Sequence, residues 1–312
     1  MIEKVIVLGA GSAGLIAALS LKRRLPRLEV EIVRDPDLGV IGVGEGTTPG
    51  FVHHMFDVLG IKRKRFFERA KPTWKLGVRF VWGPRGTFYY TFDQQLDGGV
   101  RGLKMPNGYF CDDEFTDASL PAALMRAGKA FPRQANGAPD IRNWHAYHIE
   151  NENLVAALEA EALESGIRFT NGKLIGVERG DAGITALELD GDRRIAADFF
   201  VDASGFAAEL IGKALDEPFE SFQDTLFCDR AVVGGWERTD EPVLPFTTAE
   251  TMDTGWSWQI EHEHFINRGY VYASDMISDD DAVDEFRRKN PKVPDSPRIV
   301  RFRSGCRRDS WV

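Results

Sequence analysis

The chain has 312 residues, of which 43% are hydrophobic and 28% charged, as is typical of a globular protein with a sizeable core and one or two domains. The formal net charge of -9 disfavours broad binding to nucleic acids or anionic membranes, because phosphate would repel the protein. Three widely spaced cysteines, without CxxC or HExxH motifs, indicate neither a disulfide framework nor a metal site. No signal-like segment and no apolar run of bilayer length is evident, so we expect a cytoplasmic location.

The first 34 residues have the pattern of a βαβ unit. Val5–Leu8 is a short apolar run, typical of a strand that is buried on both faces, and a second strand is predicted at Val30–Val33. The GxGxxG turn between them would use Gly9 for the tight turn, Gly11 for pyrophosphate approach and Gly14 for close helix packing. The following helix offers free N–H groups and a positive dipole end. The predicted dinucleotide contacts are Gly9, Gly11, Ser12, Ala13 and Gly14.

The end of the second strand departs from the usual dinucleotide pattern. Arg34 stands where an acidic residue normally holds the ribose, and Asp35 follows it. Arg34 could receive the 2′-phosphate of NADP, whereas Asp35 could reach a ribose from one residue later. The glycine fingerprint alone therefore leaves FAD and NADP open.

Two further glycine-containing segments favour a flavin. The segment IGVGEGTTP, at Ile41–Pro49, closely resembles the GVGEAT loop of the flavin-dependent tryptophan halogenases. Glycines there let a loop lie against a flat ring without Cβ clashes. The segment ADFFVDASG, at Ala197–Gly205, is similar to the family's ADLFIDCSG strand and turn. The resemblance implies cofactor contacts from Gly42, Val43, Gly44, Glu45, Gly46, Ser204 and Gly205.

A tryptophan pair carries the most specific part of the resemblance. The segment GWSWQI is similar to the family's WxWxIP signature, and its Trp256 and Trp258 would share one face of a strand. Paired aromatics alone would more simply indicate core packing. The resemblance instead implies a barrier between flavin and substrate. Glu261 replaces the family's proline and puts a carboxylate where the pattern has none, which leaves the substrate class in doubt.

The segment between the glycine motifs predicts the fold class. Residues 173–202 have the pattern of three strands, KLIGVERG, GITALELDG and RRIAADFFV, with a hairpin turn at Asp190-Gly191. A meander before the closing strand is typical of FAD/NAD(P)-binding Rossmann-type folds of the glutathione-reductase kind. We therefore predict an α/β fold in which residues 1–73 and 149–212 form the FAD-binding domain. Residues 74–148 and 213–312 would form an interleaved α+β substrate-side domain.

Lys75 is the candidate catalytic residue. The segment Trp74–Trp82 alternates like one half-buried strand, on which a lysine would ordinarily be solvated. The resemblance changes this interpretation, because Lys75 matches the family's essential lysine. In that family a flavin hydroperoxide oxidises halide to hypohalous acid. Lys75 would polarise this oxidant or capture it as a haloamine, a role for which arginine is a poor substitute.

The resemblance also implies cofactors, partners and a substrate. These are FAD, O2 and chloride or bromide, a small electron-rich aromatic (indole, phenol or pyrrole), and a separate flavin reductase, since no second NAD(P)H fingerprint is evident. The alternatives are a flavin-dependent aromatic hydroxylase and an inactive flavin-binding fragment. The family continues past a segment like residues 302–312 into a catalytic glutamate and a halide site, so we expect an incomplete chain with weak FAD retention and no halogenation alone. Residues 83–143 suit either an aromatic substrate pocket or plain loops.

Overall fold

The computed structural model describes residues 1–39, 42–93, 119–141, 144–181, 183–294 and 296–308. The strands in these ranges are β1 (Lys4–Leu8), β2 (Glu29–Arg34), β3 (Glu45–Gly46), β4 (Thr73–Lys75), β5 (Gly77–Val81), β6 (Thr87–Thr91), β7 (Ala146–Ile149), β8 (Arg168–Asn171), β9 (Leu174–Gly180), β10 (Gly183–Leu189), β11 (Arg193–Ala196), β12 (Phe199–Asp202), β13 (Glu220–Ser221), β14 (Arg230–Glu237), β15 (Thr247–Thr251), β16 (Gly255–Glu261), β17 (Phe265–Tyr272), β18 (Arg298–Arg301) and β19 (Gly305–Cys306).

The helices are α1 (Ser12–Arg24), α2 (Pro49–His53), α3 (Arg63–Ala70), α4 (Leu120–Arg126), α5 (Asn151–Glu164) and α6 (Asp279–Lys289). Two π-helical turns, His54–Val58 and Glu209–Ala214, supplement them. None of the helices in the described ranges is both long enough and apolar enough to cross a membrane.

A four-stranded parallel sheet in the order β12-β1-β2-β8 forms the centre of the first layer. One of its faces packs against α1 and α5, where Leu15 and Leu158 are buried with Val5 and Val7. The other face packs against the meander β9–β11, since Ile6 lies in a separate core cluster with the buried leucines of β10. The predicted βαβ unit and the Rossmann-like arrangement of the parallel sheet are therefore confirmed.

The meander differs from its prediction in one respect. The run RRIAADFFV was expected to be a single strand, but it forms β11 of the meander and β12 of the parallel sheet. Asp198 separates them, because its carboxylate accepts hydrogen bonds from the backbone N–H groups of Glu3 (2.8 Å) and Lys4 (2.9 Å). The hairpin at Asp190-Gly191 is confirmed, with Gly191 at a φ of 68°.

The predicted single strand over Trp74–Trp82 is also two strands. β4 pairs with β7 in a small antiparallel sheet of order β3-β7-β4, whereas β5 belongs to a seven-stranded sheet. The change of sheet occurs at Leu76, which donates its backbone N–H to Pro245 (2.8 Å) and accepts one from Phe92 (3.1 Å). Lys75 consequently ends a strand of the small sheet and does not share a strand with β5.

The seven-stranded sheet has the order β18-β14-β17-β16-β15-β5-β6 and is antiparallel except between β15 and β5. One face is covered by α6, where Phe286 is buried against Tyr270 and Tyr272. The opposite face carries Trp256 and Trp258, and we call it the tryptophan face. The strand register places both faces unambiguously, because directly paired residues project to the same side.

A pair of glycine substitutions tests the packing of the first turn. A Cβ on Gly14 would lie 2.0 Å from the carbonyl oxygen of Gly9, whereas a Cβ on Gly11 would meet nothing within 4 Å. We expect Gly14→Ala to reduce the free energy of unfolding by at least about 2 kcal/mol, because two backbone segments must separate. Gly11→Ala should change it by less than about 1 kcal/mol. Urea unfolding of both variants measures this, and equal losses would refute the close packing at Gly14.

Candidate functional site

The first glycine turn leaves room for an anionic group. α1 begins at Ser12 after Gly11, has no acidic residue in its first turn, and so presents its N-terminus without a local counter-charge. Open space surrounds the position of a Cβ on Gly11. The hydroxyl oxygen of Ser12 is buried and has no hydrogen-bond partner among the described residues. These features fit the pyrophosphate of a dinucleotide such as FAD. Ala13, which was also predicted to contact the dinucleotide, is exposed next to Ser12.

The predicted turn at Ser204 and Gly205 lies beside the first glycine turn. The backbone of Ala203 hydrogen-bonds to Leu8 (2.9 Å), and a Cβ on Gly9 would lie only 2.3 Å from the Ala203 carbonyl oxygen. The Ser204 hydroxyl, however, donates to Asp202 (2.5 Å) and accepts the backbone N–H of Glu209 (2.8 Å). Its side chain therefore holds the following turn in place, and any approach to a cofactor would use the backbone.

Arg34 is occupied by partners within the protein. Its guanidinium donates to Glu159 of α5 (2.7 Å) and to Asn171 of β8 (2.9 Å), and it lies 5.1 Å from the Phe169 ring centre. This pairing already engages Nε and Nη1 of the guanidinium within the protein, which favours FAD over the 2′-phosphate of NADP. Asp35 accepts the backbone N–H of Asp37 (3.0 Å). Cofactor contacts by Arg34 and Asp35 stay predictions.

The predicted flavin-contacting segment Gly42–Gly46, which we call the GVGEG loop, is anchored to other elements by hydrogen bonds at Gly42 and Glu45. Arg298 of β18 donates to the carbonyl oxygen of Gly42 (3.1 Å). Asn151 at the start of α5 donates to the Glu45 carboxylate (2.5 Å). Val43 is partly buried, and Ile41, which belongs to the same motif, lies outside the described residues. The loop is therefore held from both the parallel-sheet layer and the seven-stranded sheet.

Gly44 and Gly46 of the loop lie directly against residues of the tryptophan face. Gly44 is buried with a φ of 77°, and a Cβ there would lie 2.6 Å from Asn267 Nδ2 and 2.7 Å from His262 Nε2. A Cβ on Gly46 would lie 3.1 Å from both Lys75 Nζ and Thr247 Oγ1. Only glycine combines this backbone conformation with so close an approach at position 44.

Lys75 is buried in a largely neutral environment. Its exposed fraction is 5%, and its Nζ lies 5.5 Å from the ring centre of Phe92. No ion pair joins it to a carboxylate in the described part of the chain. Desolvation by burial lowers the pKa of Lys75 from its ordinary 10.5 to about 8. The amine form is therefore far more accessible near neutral pH than it is for a surface lysine.

A neutral histidine adjoins this lysine. His148 of β7 is fully buried, and its Nε2 shares a hydrogen bond of 2.9 Å with the Thr247 hydroxyl. Burial, followed by the nearby charge of Lys75, holds the pKa of His148 well below its usual value. His148 is therefore an uncharged polar group that joins the small sheet to β15.

The tryptophan pair lies next to the residues that touch the GVGEG loop. The ring centres of Trp256 and Trp258 are 6.2 Å apart, on one face of β16 as the alternation predicted. Ala249 and Gly269 are paired with Trp258 on the two neighbouring strands. Thr247 and Asn267 each lie two residues before these partners, and so project to the same face. The loop and Lys75 thus lie beside the sheet face that carries the two tryptophans.

Glu261 is not a free carboxylate facing a substrate. Only 1% of its side chain is exposed, and it accepts hydrogen bonds from Arg238 (2.6 Å) and Gln259 (2.7 Å). In the sequence Glu261 stands out as a departure from the family pattern, but nothing there points to its partner Arg238. His262 and Asn267 could not be predicted either, because they meet only through the folding of the β16–β17 hairpin.

An aromatic-lined cavity of about 210 Å³ lies on the other side of β4. Trp74, Leu76 and Phe131 contribute to its wall, whereas Lys75 does not, because alternate residues of a strand face opposite ways. Residues 94–118 and 142–143 of the predicted substrate region lie outside the described residues. The part that is described therefore provides an apolar cavity separated from Lys75 by the strand. No group of His, Cys, Asp and Glu suited to a metal occurs within the described ranges.

Comparison with known proteins agrees with this arrangement. The model of the tryptophan halogenase family matches residues 4–312. Tryptophan 7-halogenase RebH of Lentzea aerocolonigenes is 30% identical over all of this chain and 63% of its own length. Tryptophan 6-halogenase ThaL of Streptomyces albogriseolus is also 30% identical, over all of this chain and 64% of its own length. The crystal structure of MibH, a lathipeptide tryptophan 5-halogenase, has a TM-score of 0.88 and 37% identity, covering 99% of this chain and 60% of MibH.

The fold and the site therefore define a flavoprotein with a Rossmann-like FAD-binding fold. The chain belongs to the tryptophan halogenase family of flavin-dependent halogenases. It spans slightly less than two thirds of the length of the curated relatives described above.

The burial of Lys75 predicts a gain in stability on its removal. Below about pH 8 the folded protein must hold a buried ammonium, whereas the unfolded chain keeps the lysine charged up to its ordinary pKa of 10.5. The unfolded state thus binds more protons between these values, and this contribution to stability rises with pH. We expect Lys75→Met to raise the free energy of unfolding at pH 7 by up to about 3 kcal/mol, and the gain to shrink as the pH approaches 10.5.

Urea unfolding from pH 7 to 9.5 measures the difference between variant and parent. Lys64→Met is the control, because the Lys64 side chain is 87% exposed and its removal relieves no buried charge. A loss of stability at pH 7 in Lys75→Met would contradict the destabilising burial of the amine.

Proposed function

We propose that the protein carrying this chain catalyses FAD-dependent halogenation of an electron-rich aromatic ring, with chloride or bromide as the halogen source. Family membership supports the reaction class, and the names of RebH and ThaL favour an indole over a phenol or pyrrole. The observation that carries the proposal is the buried Lys75 amine, which adjoins both the GVGEG loop and the tryptophan face. Reduced FAD would be delivered by a separate flavin reductase.

The GxGxxG turn and the GVGEG loop would hold the cofactor. Gly11, Ser12 and the start of α1 would receive its pyrophosphate, and the loop would lie against its ring system. When bound, reduced FAD together with O2 would supply the oxidant that converts halide to hypohalous acid. Trp256 and Trp258 would form the wall that separates the flavin from the aromatic substrate.

Lys75 has two chemically distinct ways to use hypohalous acid. As an ammonium it would donate a hydrogen bond to the acid's oxygen and make the halogen more electrophilic. As an amine its nitrogen would attack the halogen, forming an N–halogen bond while the halogen–oxygen bond breaks and water leaves with an amine proton. The aromatic carbon would then take the halogen and release its ring proton, restoring the amine. A pKa of about 8 makes both forms of Lys75 accessible near neutral pH.

Substitution of Lys75 tests this role. In the protein that carries this chain, Lys75→Met should abolish halogenated product while reduced FAD is still oxidised by O2, because the oxidant forms but is not directed to the ring. Lys75→Arg keeps a positive charge and hydrogen-bond donors but is a poor amine nucleophile, so we expect it to lower the rate at least about 100-fold if the haloamine route operates. Product mass and oxygen uptake are measured in parallel.

Three results would count against the proposed reaction or against one of the two roles of Lys75. Halogenation at the parent rate by Lys75→Met would remove Lys75 from the reaction. Halogenation at the parent rate by Lys75→Arg would exclude amine capture and leave hydrogen bonding. A product carrying added oxygen with no halogen, whether or not bromide is present, would identify an aromatic hydroxylase instead.

A further inference from the structure

The buried position 44 of the GVGEG loop rests on two side chains of the seven-stranded sheet. A Cβ on Gly44 would lie within 2.7 Å of both Asn267 Nδ2 and His262 Nε2, so the loop backbone sits directly on these nitrogens. The same two atoms are 2.9 Å apart and share a hydrogen bond. Asn267 and His262 thus form one continuous polar surface beneath the loop. The remaining anchors, at Gly42 and Glu45, lie on either side of this point.

The hydrogen bond between these side chains requires an uncharged imidazole. The amide nitrogen of Asn267 can only donate, so His262 Nε2 must accept with its lone pair. Burial, followed by the charge of Arg238, lowers the pKa of His262 to about 4. His148 and Glu261 are the other titratable groups near this ring, and both are themselves buried. His262 therefore keeps its accepting nitrogen throughout the neutral pH range.

A buried ion pair fixes the backbone of His262. Arg238 donates from Nε (3.0 Å) and Nη2 (2.8 Å) to the carbonyl oxygen of His262, and from Nη2 to the Glu261 carboxylate (2.6 Å). Further bonds run from Arg238 Nη1 to the carbonyl oxygens of Glu241 (3.2 Å) and Pro242 (2.8 Å). Such complete pairing offsets the desolvation of a buried guanidinium. The turn between β16 and β17 is consequently held at the residue that supports the loop.

We propose that His262 and Asn267 are positioning residues that hold Gly44 of the GVGEG loop in place, and that the Arg238–Glu261 pair fixes His262 for this purpose. Their effect on flavin rests on the proposed function, in which the loop lies against the flavin ring. On this view Glu261, where the family pattern has proline, belongs to the support of the cofactor loop and takes no part in recognising the substrate.

Two substitutions of His262 distinguish a role of its hydrogen bond to Asn267 from a role of its volume alone. His262→Gln keeps an uncharged acceptor that can receive the Asn267 amide, whereas His262→Leu fills similar volume and leaves that amide unpaired. Ser257→Ala is the control, because Ser257 is buried in the same strand region but faces the helix-covered side. Two quantities are measured in the protein that carries this chain: hydrogen exchange of the Gly42–Gly46 amides without cofactor, and the dissociation constant of FAD.

We expect His262→Leu to accelerate amide exchange in the loop and to weaken FAD binding, each about tenfold, since one buried donor is left unsatisfied. His262→Gln should restore both to within about twofold of the parent, and Ser257→Ala should leave both unchanged. Faster exchange with unaltered FAD affinity would uphold the support of Gly44 but contradict the role of the loop in flavin binding. Unaltered exchange in His262→Leu, or equal effects of Leu and Gln, would overturn the inference.

Discussion

The buried amine of Lys75 is the constraint on which the rest of this site depends. Within the described part of the chain no carboxylate forms an ion pair with it, so its burial is unfavourable to the charged form and lowers its pKa. A carboxylate at this place would stabilise the fold but would hold the lysine as an ammonium and remove its nucleophilic form. The observed surroundings of Lys75 are an aromatic ring and a neutral histidine. They make the fold less stable than a carboxylate would, but they allow Lys75 to be either an ammonium or an amine near neutral pH.

The neighbouring histidines follow from the same constraint. A charged His148 beside Lys75 would place two cations in a desolvated space, and burial therefore keeps it neutral. Its hydrogen bond to Thr247 then joins the small sheet to the tryptophan face without introducing charge. His262 is neutral for a related reason, since Arg238 already supplies a positive charge nearby. Arg238 and Glu261 themselves form a closely paired couple in which each charge is compensated by the other.

Local patterns in the sequence predicted the features that depend on neighbours along the chain. The βαβ unit and the shared face of Trp256 and Trp258 follow from strand periodicity, which is a property of a few consecutive residues. The break at Leu76 could not be predicted this way, because an unbroken alternation continues through it, and the break depends on hydrogen bonds to Pro245 and Phe92. The partner of Glu261 could not be predicted from local sequence patterns either, because Arg238 is 23 residues away and reaches Glu261 across the sheet.

Gly44 and Gly46 of the GVGEG loop satisfy different physical requirements. At Gly44 any other residue would need an unfavourable positive φ, and its Cβ would lie 2.6 Å from Asn267 Nδ2 and 2.7 Å from His262 Nε2. At Gly46 the loop motif that this segment resembles has alanine, and a Cβ here would make two contacts of 3.1 Å, one of them with the flexible tip of Lys75. A methyl group at that position would require both the Lys75 amine and the Thr247 hydroxyl to give way slightly. Glycine at 46 therefore leaves the Lys75 amine more room beside the loop than alanine would.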